Sequence, residues 1–301
     1  MEHINTLIEI LKTGNEDDSW LATDELKEIA WKTPSIITSL LPLLKDSNPI
    51  VRSNAADVLG GMEELAKSTV PYLIPLLKDS EIGVRIATVN ALGNMGELDK
   101  YAIPHLIPLL QDPEPSIRSG AADALGSMKE SANITIPHII PLLKDSDPYV
   151  RICLAQTLGF RLGRIEEFAE YVISQLTPLL KDSDPRVRSN VANALGCMGK
   201  LGASSIPQLI LLLKDPDSSV RRNAAHTLGN MGESAKSAVP HIIPLLKDPS
   251  SFVRTLAAQA LGEIGESAKS AIPALTLLLE DADQGTRSST EMALERIGVK
   301  R

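Results

Sequence analysis

Aromatic side chains make up only 3% of this 301-residue chain. Such rings carry much of the interior of thick compact cores, so their scarcity points to thin layers filled by Leu, Ile, Val and Ala. Cysteine is nearly absent as well. Cys153 and Cys197 are the only two, which excludes a disulfide framework and leaves no close-set zinc ligands. No apolar run reaches about 18 residues, and the opening Met1-Glu-His-Ile-Asn-Thr-Leu-Ile has no basic stretch leading into an apolar one. A soluble, monomeric, cytoplasmic protein without membrane partners is therefore the default expectation. An excess of positive charge is missing too: 30 basic residues stand against 38 acidic ones, a net −8. A nucleic-acid binder needs a cationic track to neutralise phosphates, so nucleic acid is not an expected partner.

Catalytic signatures are also lacking. There is no Walker loop, no Gly-x-Ser-x-Gly and no dinucleotide fingerprint. None of the five histidines, His3, His105, His138, His226 and His241, precedes a glutamate. His105, His138 and His241 share one slot of a repeating pattern with no carboxylate in phase, which reads as a recurring surface position. No catalytic residue, metal ligand or cofactor is expected.

What the sequence does have is a repeat. Leu-Leu-Lys-Asp, or a close variant, recurs with its aspartate at Asp46, Asp79, Asp112, Asp145, Asp182, Asp215, Asp248 and Asp281. The intervals are 33 residues except for one of 37 between Asp145 and Asp182. Six residues after each aspartate stands an arginine: Arg52, Arg85, Arg118, Arg151, Arg188, Arg221, Arg254 and Arg287. Residues 1–33 fall in the same phase as a degenerate ninth unit.

Each unit reads as two helices. The first resembles Ile103-Pro104-His105-Leu106-Ile107-Pro108-Leu109-Leu110, with a first-position proline (Pro71, Pro104, Pro137, Pro207, Pro240, Pro273) where no N–H is needed. A second proline four residues on (Pro75, Pro108, Pro141, Pro244) removes a backbone bond and predicts a kink. Leu211 and Leu277 fill that slot in sister repeats, so a bent but continuous helix is expected. Asp-Ser-Asp-Pro (182–185) supplies a cap and another proline start for the second helix, which Gly199 ends.

The Asp…Val-Arg spacing, the proline in the first helix and the ending Ala194-Leu195-Gly196-Cys197-Met198-Gly199 resemble HEAT repeats, and most closely the short repeats of phycobilisome-lyase-type HEAT proteins. Ankyrin repeats share the period but carry a Thr-Pro-Leu-His entry that is absent here. The resemblance covers essentially the whole chain. It implies an all-α fold, a right-handed α-solenoid (α-α superhelix) of nine stacked helix-pair repeats, in which the repeated Asp and Arg form a ladder between neighbours. The expected organisation is a single domain over 1–301. It comprises a capping repeat at 1–33, repeats two to five at 34–159, an irregular segment with a four-residue insertion at 160–171, repeats six to eight at 172–265 and a capping repeat at 266–301.

With the arginine of the second helix at position zero, positions −1, +3, +6, +7 and +10 gather on one face as Val, Ala, Ala, Leu and Met or Ile. One helix pair cannot bury that face alone, whereas stacked neighbours can. The small residues of the second helix predict the tighter, concave side of the stack. Position +8 is glycine in the middle repeats but Lys27 and Glu295 in the terminal ones, and position +4 turns from small to Glu291 at the end. Both changes read as polar caps. Trp20 and Trp31 are expected in the core of the first cap.

Positions +2, +5 and +9 point away from the buried stripe. Seven of the eleven asparagines occupy these columns: Asn54, Asn90, Asn94, Asn190, Asn193, Asn223 and Asn230. Asparagine is a poor helix former, so its concentration there needs a compensating role. In armadillo repeats, relatives of HEAT, such asparagines bond the main chain of an extended peptide; alternatively they bond one another. With Asp57, Asp123, Gln156, Phe160 and His226 they make up the candidate partner-binding face. The acidic residues on it (Asp24, Glu28, Asp57, Asp123, Glu263) favour a neutral or basic protein or peptide partner. Phe160, in the irregular segment, is either an aromatic anchor or part of a lengthened helix. A non-catalytic interaction scaffold is the leading functional reading. The alternatives are a phycobilisome-lyase-like, chromophore-handling protein and a stacking module without a ligand.

Overall fold

The computed structural model describes residues 2–13, 15–30, 32–62, 68–95 and 101–299. It forms two compact units, residues 1–154 and 155–301. In the first unit, α1 (Glu2–Thr13) pairs with α2 (Glu16–Ala30), α3 (Ile36–Leu40) with α4 (Pro49–Gly60), α5 (Val70–Leu73) with α6 (Ile82–Asn94), and α7 (Ile103–Leu106) with α8 (Pro115–Ser127). α9 (Ala132–Ile139) follows, and α10 (Pro148–Thr157) runs across the boundary. The second unit holds α11 (Glu166–Leu176) with α12 (Pro185–Cys197), α13 (Ile206–Leu212) with α14 (Ser218–Asn230), α15 (Val239–Ile242) with α16 (Ser251–Ile264), and α17 (Ile272–Leu278) with α18 (Gln284–Ile297). Among the described residues there is no β-strand. The fold is an all-α solenoid of helix pairs, and its nine pairs keep the sequence period.

The second proline of each first helix changes the winding of the chain. Wherever Pro42, Pro75, Pro108, Pro141, Pro178 or Pro244 stands, the α-helix gives way to a 3₁₀ segment that starts one residue earlier. Where Leu211 or Leu277 replaces it, α-helix continues to Leu212 and Leu278. The missing N–H and the ring's clash with the preceding turn account for the switch. The expected bend is thus a change of helix type, six times out of six. Pro137 departs from its expected first position, because α9 already begins at Ala132.

Several second helices start on built caps. Asn48, Asp184, Asp217 and Asp283 accept hydrogen bonds from the first-turn N–H groups of α4, α12, α14 and α18. Their predicted stripe is buried in the regular repeats: Val187, Val191, Ala194 and Leu195 of α12 and Met198 at its end are all at most 4% exposed. Gly199, Gly232, Gly265 and Gly298 adopt positive φ at the ends of successive second helices, a conformation open mainly to glycine.

The glycine at +8 has a separate reason. A Cβ on Gly60 would sit 2.5 Å from the Cα of Ala91, and one on Gly229 would sit 2.7 Å from the Cα of Ala260. Position +8 therefore presses on position +6 of the following helix. This corrects the reading of Lys27 as an end cap: its +8 slot faces the next repeat, where it lies against Gly61 and pairs with Asp57, while Asp24 of its own helix also pairs with it. Trp20 is 65% exposed and not in the core; it occupies +1, on the flank of α2. Trp31 lies outside the described residues. Replacing Gly60 with Ala should cost about 1–3 kcal/mol through overpacking and lower the thermal midpoint. Gly83→Ala, with nothing within 4 Å, serves as the control and should be neutral or stabilising. Equal melting of the two variants would remove the close-approach account.

Candidate functional site

The candidate face is fixed by the ladder that aligns the repeats. Each anchor aspartate accepts, through Oδ1, the N–H two residues ahead of it, as in Asn48 to Asp46 (2.8 Å) and Asp217 to Asp215 (2.9 Å). Its own carbonyl accepts from Nη1 of the arginine six residues on, 2.7 Å for Arg52 and 2.9 Å for Arg221. The remaining fork of that arginine, Nε and Nη2, reaches the aspartate of the next repeat. Rungs of this kind are Arg52–Asp79 and Arg118–Asp145 in the first unit, and Arg188–Asp215, Arg221–Asp248 and Arg254–Asp281 in the second. Their side chains are 5–17% exposed, so these are near-buried, bidentate pairs rather than screened surface contacts.

The rungs hold their carboxylates below the ordinary range. At Asp79, Asp145 and Asp281 the arginine hydrogen bond is the main cause. At Asp215 and Asp248 burial pushes upward, and the arginine together with a backbone N–H overrides it. Neither cysteine is activated. Burial pushes both thiols up, the largest effect at Cys153 and at Cys197, which disfavours the reactive thiolate.

With the helices locked in register, all twelve candidate residues lie on second helices or, for Phe160, on the turn ending one, and all reach solvent. In the first unit Asn54, Asp57, Asn90, Asn94 and Asp123 share this face. Asp57 is held by Lys27. Among the described residues Asn54, Asn90 and Asn94 make no side-chain hydrogen bond. The second unit differs. Gln156 donates to Asn190 (2.9 Å), which in turn donates to the carbonyl of Arg186 (2.8 Å). Asn223 donates to Ser189 and accepts from Arg222 (3.3 Å). Cys197 donates to Asn193 (3.8 Å), and Asn230 meets His226 (3.4 Å). Of the two expected roles, bonding within the protein is seen in the second unit. Ser189 and Arg222 were not foreseen as parts of this face; both adjoin an asparagine column, Ser189 joining it through a bond from Asn223 across the helices and Arg222 through its bond to the neighbouring Asn223.

The irregular segment is a π-helical turn, Leu158–Leu162, followed by a first helix of eleven residues. The extra residues fall at the end of this turn and in the loop to residue 165 rather than in α11, and the turn leaves Phe160 37% exposed. Arg164 donates from Nε to the carbonyl of Cys197 (3.1 Å), tying the segment to α12. His105, His138 and His241 are exposed, as a recurring surface slot requires. Among the described residues no helix is long and apolar enough to cross a membrane.

Family comparison agrees with this architecture. The family model for HEAT repeats matches residues 70–136, 136–210 and 206–295, and a second HEAT repeat model matches 36–65. The chain belongs to the HEAT-repeat family. Among solved structures it is similar to Kap121p bound to Pho4p, with 19% identity, a TM-score of 0.66, and coverage of 98% of this chain and 37% of that one. Kap121p bound to Nup53p (TM-score 0.65) and the karyopherin Kap121p bound to the SUMO protease Ulp1p (TM-score 0.66) match with the same identity and coverage. This chain therefore spans little more than a third of those proteins, and the likeness is one of fold. No curated protein matches it by sequence.

The depressed aspartates make acid stability a test of the ladder. A carboxylate with a lowered folded pKa contributes stability above its unfolded value of about 3.9, and that contribution is lost as pH falls through the folded pKa. Urea unfolding should show a plateau above about pH 5 and a decline below pH 4. In Arg254→Gln the slope below pH 4 should be shallower, because Asp281 loses its partner. Asp248→Ala should cost roughly 3–5 kcal/mol near pH 7 by leaving Arg221 unpaired. An unchanged acid slope in Arg254→Gln would remove the rung from the stability account.

Proposed function

We propose that this chain is a non-catalytic scaffold that receives an extended peptide or a protein segment along the outward columns of its second helices. The observation that carries it is the row of amides on the first unit, Asn54, Asn90 and Asn94, that make no side-chain hydrogen bond among the described residues, beside Asp57 and Asp123. An amide offers both donors and an acceptor, the complement of a peptide main chain. Holding such groups on rigid helices avoids the ordering cost of a mobile loop. The carboxylates select a neutral or basic sequence over an acidic one. The tight glycine–alanine spacing of the second helices favours this side as the concave one. The fold shared with Kap121p, which binds Pho4p and Nup53p in its solved complexes, supports a protein partner of this general kind. In the second unit the asparagines already bond within the protein, so they position the face, and Phe160 is the side chain there best suited to anchor a ligand.

Selection from a displayed library of unstructured peptides gives the test. Binders enriched on the full chain should carry Lys or Arg and should bind at least about tenfold more weakly to the Asn54→Ala/Asn90→Ala/Asn94→Ala variant with unchanged circular dichroism. Retained affinity in that variant, or enrichment of acidic peptides, would overturn the assignment.

A further inference from the structure

The first helices of the first unit turn an apolar face away from their partner helices. In α9 the exposed side is Ile134, Pro137, His138 and Pro141, at the i, i+3, i+4 and i+7 spacing of one helix face, while Ile139 on the other side is fully buried. The sister slots bring Tyr101, in the turn entering α7, and Tyr72 of α5 to the same side. Tyr72 is 50%, Tyr101 81% and Ile134 52% exposed. α9 packs on the 3₁₀ turn that follows α7, and the second helices α6 and α8 pack together, so the three first helices stand side by side. Three large apolar side chains on adjacent helices, set among prolines, exceed the scattered exposure usual on protein surfaces. Charge is as one-sided. Residues 68–78, 101–111 and 131–144, which hold these helices and their 3₁₀ ends, contain no Asp or Glu. Lys78 and Lys144 stand exposed at the far ends and meet no carboxylate among the described residues. The outward columns of the second helices are the reverse, with Asp57 and Asp123.

We propose that this face docks an acidic amphipathic helix of another protein, its apolar stripe on Tyr72, Tyr101 and Ile134 and its carboxylates toward Lys78 and Lys144. The lysines, with no acid among them, select the acidic border. A helix fits better than an extended segment because it bonds its own backbone. Proline carries no N–H, and an apolar face has few groups to pair a main chain, each unpaired amide costing about 1–3 kcal/mol. The asparagine columns of the second helices are the opposite case, so the two sides of the unit select different backbones. An anionic bilayer is a poorer occupant. It meets the field of the whole molecule, net −8, whereas a docked helix senses charges within a Debye length of about 8–10 Å.

The test uses the full chain and a fluorescein-labelled peptide of about 18 residues, cross-linked so that it is helical before binding, with Leu on one stripe and Glu beside it. Such a helix lies outside a library of unstructured peptides, so the two faces are tested apart. Its anisotropy should saturate below about 1 mM protein. The Tyr72→Ser/Tyr101→Ser/Ile134→Ser variant, with unchanged circular dichroism, should bind at least about tenfold more weakly. Lys78→Glu/Lys144→Glu should weaken the Glu peptide and strengthen a Lys counterpart. The Asn54→Ala/Asn90→Ala/Asn94→Ala variant should bind as the parent does. No saturable binding, equal affinity of the parent for the Lys peptide, or indifference to the serine or glutamate variants would overturn the proposal. So would sedimentation with phosphatidylserine vesicles, or self-association, that the serine variant abolishes, by making a bilayer or a second copy the occupant.

Discussion

The bidentate pair between an arginine and the aspartate of the next repeat is the constraint on which the other features depend. That aspartate does three things at once. Its Oδ1 closes the turn between the two helices, its carbonyl fixes the arginine of its own repeat, and its carboxylate takes the fork of the repeat before. Turn geometry, arginine direction and repeat-to-repeat register are therefore set by the same few atoms. A 27-residue step from Arg188 to Asp215 is possible only if the intervening helix and connection keep their lengths. Where the helix-one prolines give way to Leu211 or Leu277, the winding changes and the spacing does not.

The layer of small residues follows from that register. Once the rungs hold neighbouring helices at one height, position +8 comes against +6 of the next helix, and at Gly60, Gly93, Gly159, Gly196, Gly229 and Gly262 a Cβ would crowd the Ala or Thr opposite. The first helices, bulky and proline-bent, cannot approach so closely. Two faces of different spacing result, and the second helices present long polar side chains on the closer one. Burial of the stripe supplies most of the stabilisation by removing apolar area from water. The rungs decide which of the many ways of stacking such stripes is adopted.

Much of this was legible in the sequence because a period multiplies every signal. The buried positions −1, +3, +6, +7 and +10 came from helical geometry alone, and Val187 to Met198 obey them. What escaped depended on direction and on neighbours remote in sequence. Nothing local in Lys27 says that +8 looks forward along the stack, so it resembled Glu295, although it pairs with Asp57 of the following helix. Trp20 followed the usual preference of tryptophan for the interior, yet its helical phase puts it on a flank. The twelve side chains of the face could be assigned to their columns, but whether an asparagine is engaged rests on a residue about 34 positions away, as for Gln156 with Asn190 and Ser189 with Asn223.

That division of the asparagines bears on how a repeat protein acquires a binding face without weakening its stack. An amide at +2 or +5 in the second unit satisfies itself on the neighbouring helix, which adds polar stitching and limits its use for a ligand, since breaking such a bond costs what a new one supplies. At Asn54, Asn90 and Asn94 no such bond competes among the described residues. A main chain laid there exchanges only water for protein hydrogen bonds, and Asp57, restrained by Lys27, offers a carboxylate whose position is already set. Specificity can therefore change by substitutions on +2, +5 and +9 alone, because the rungs and the glycine contacts lie on other columns of the same helix.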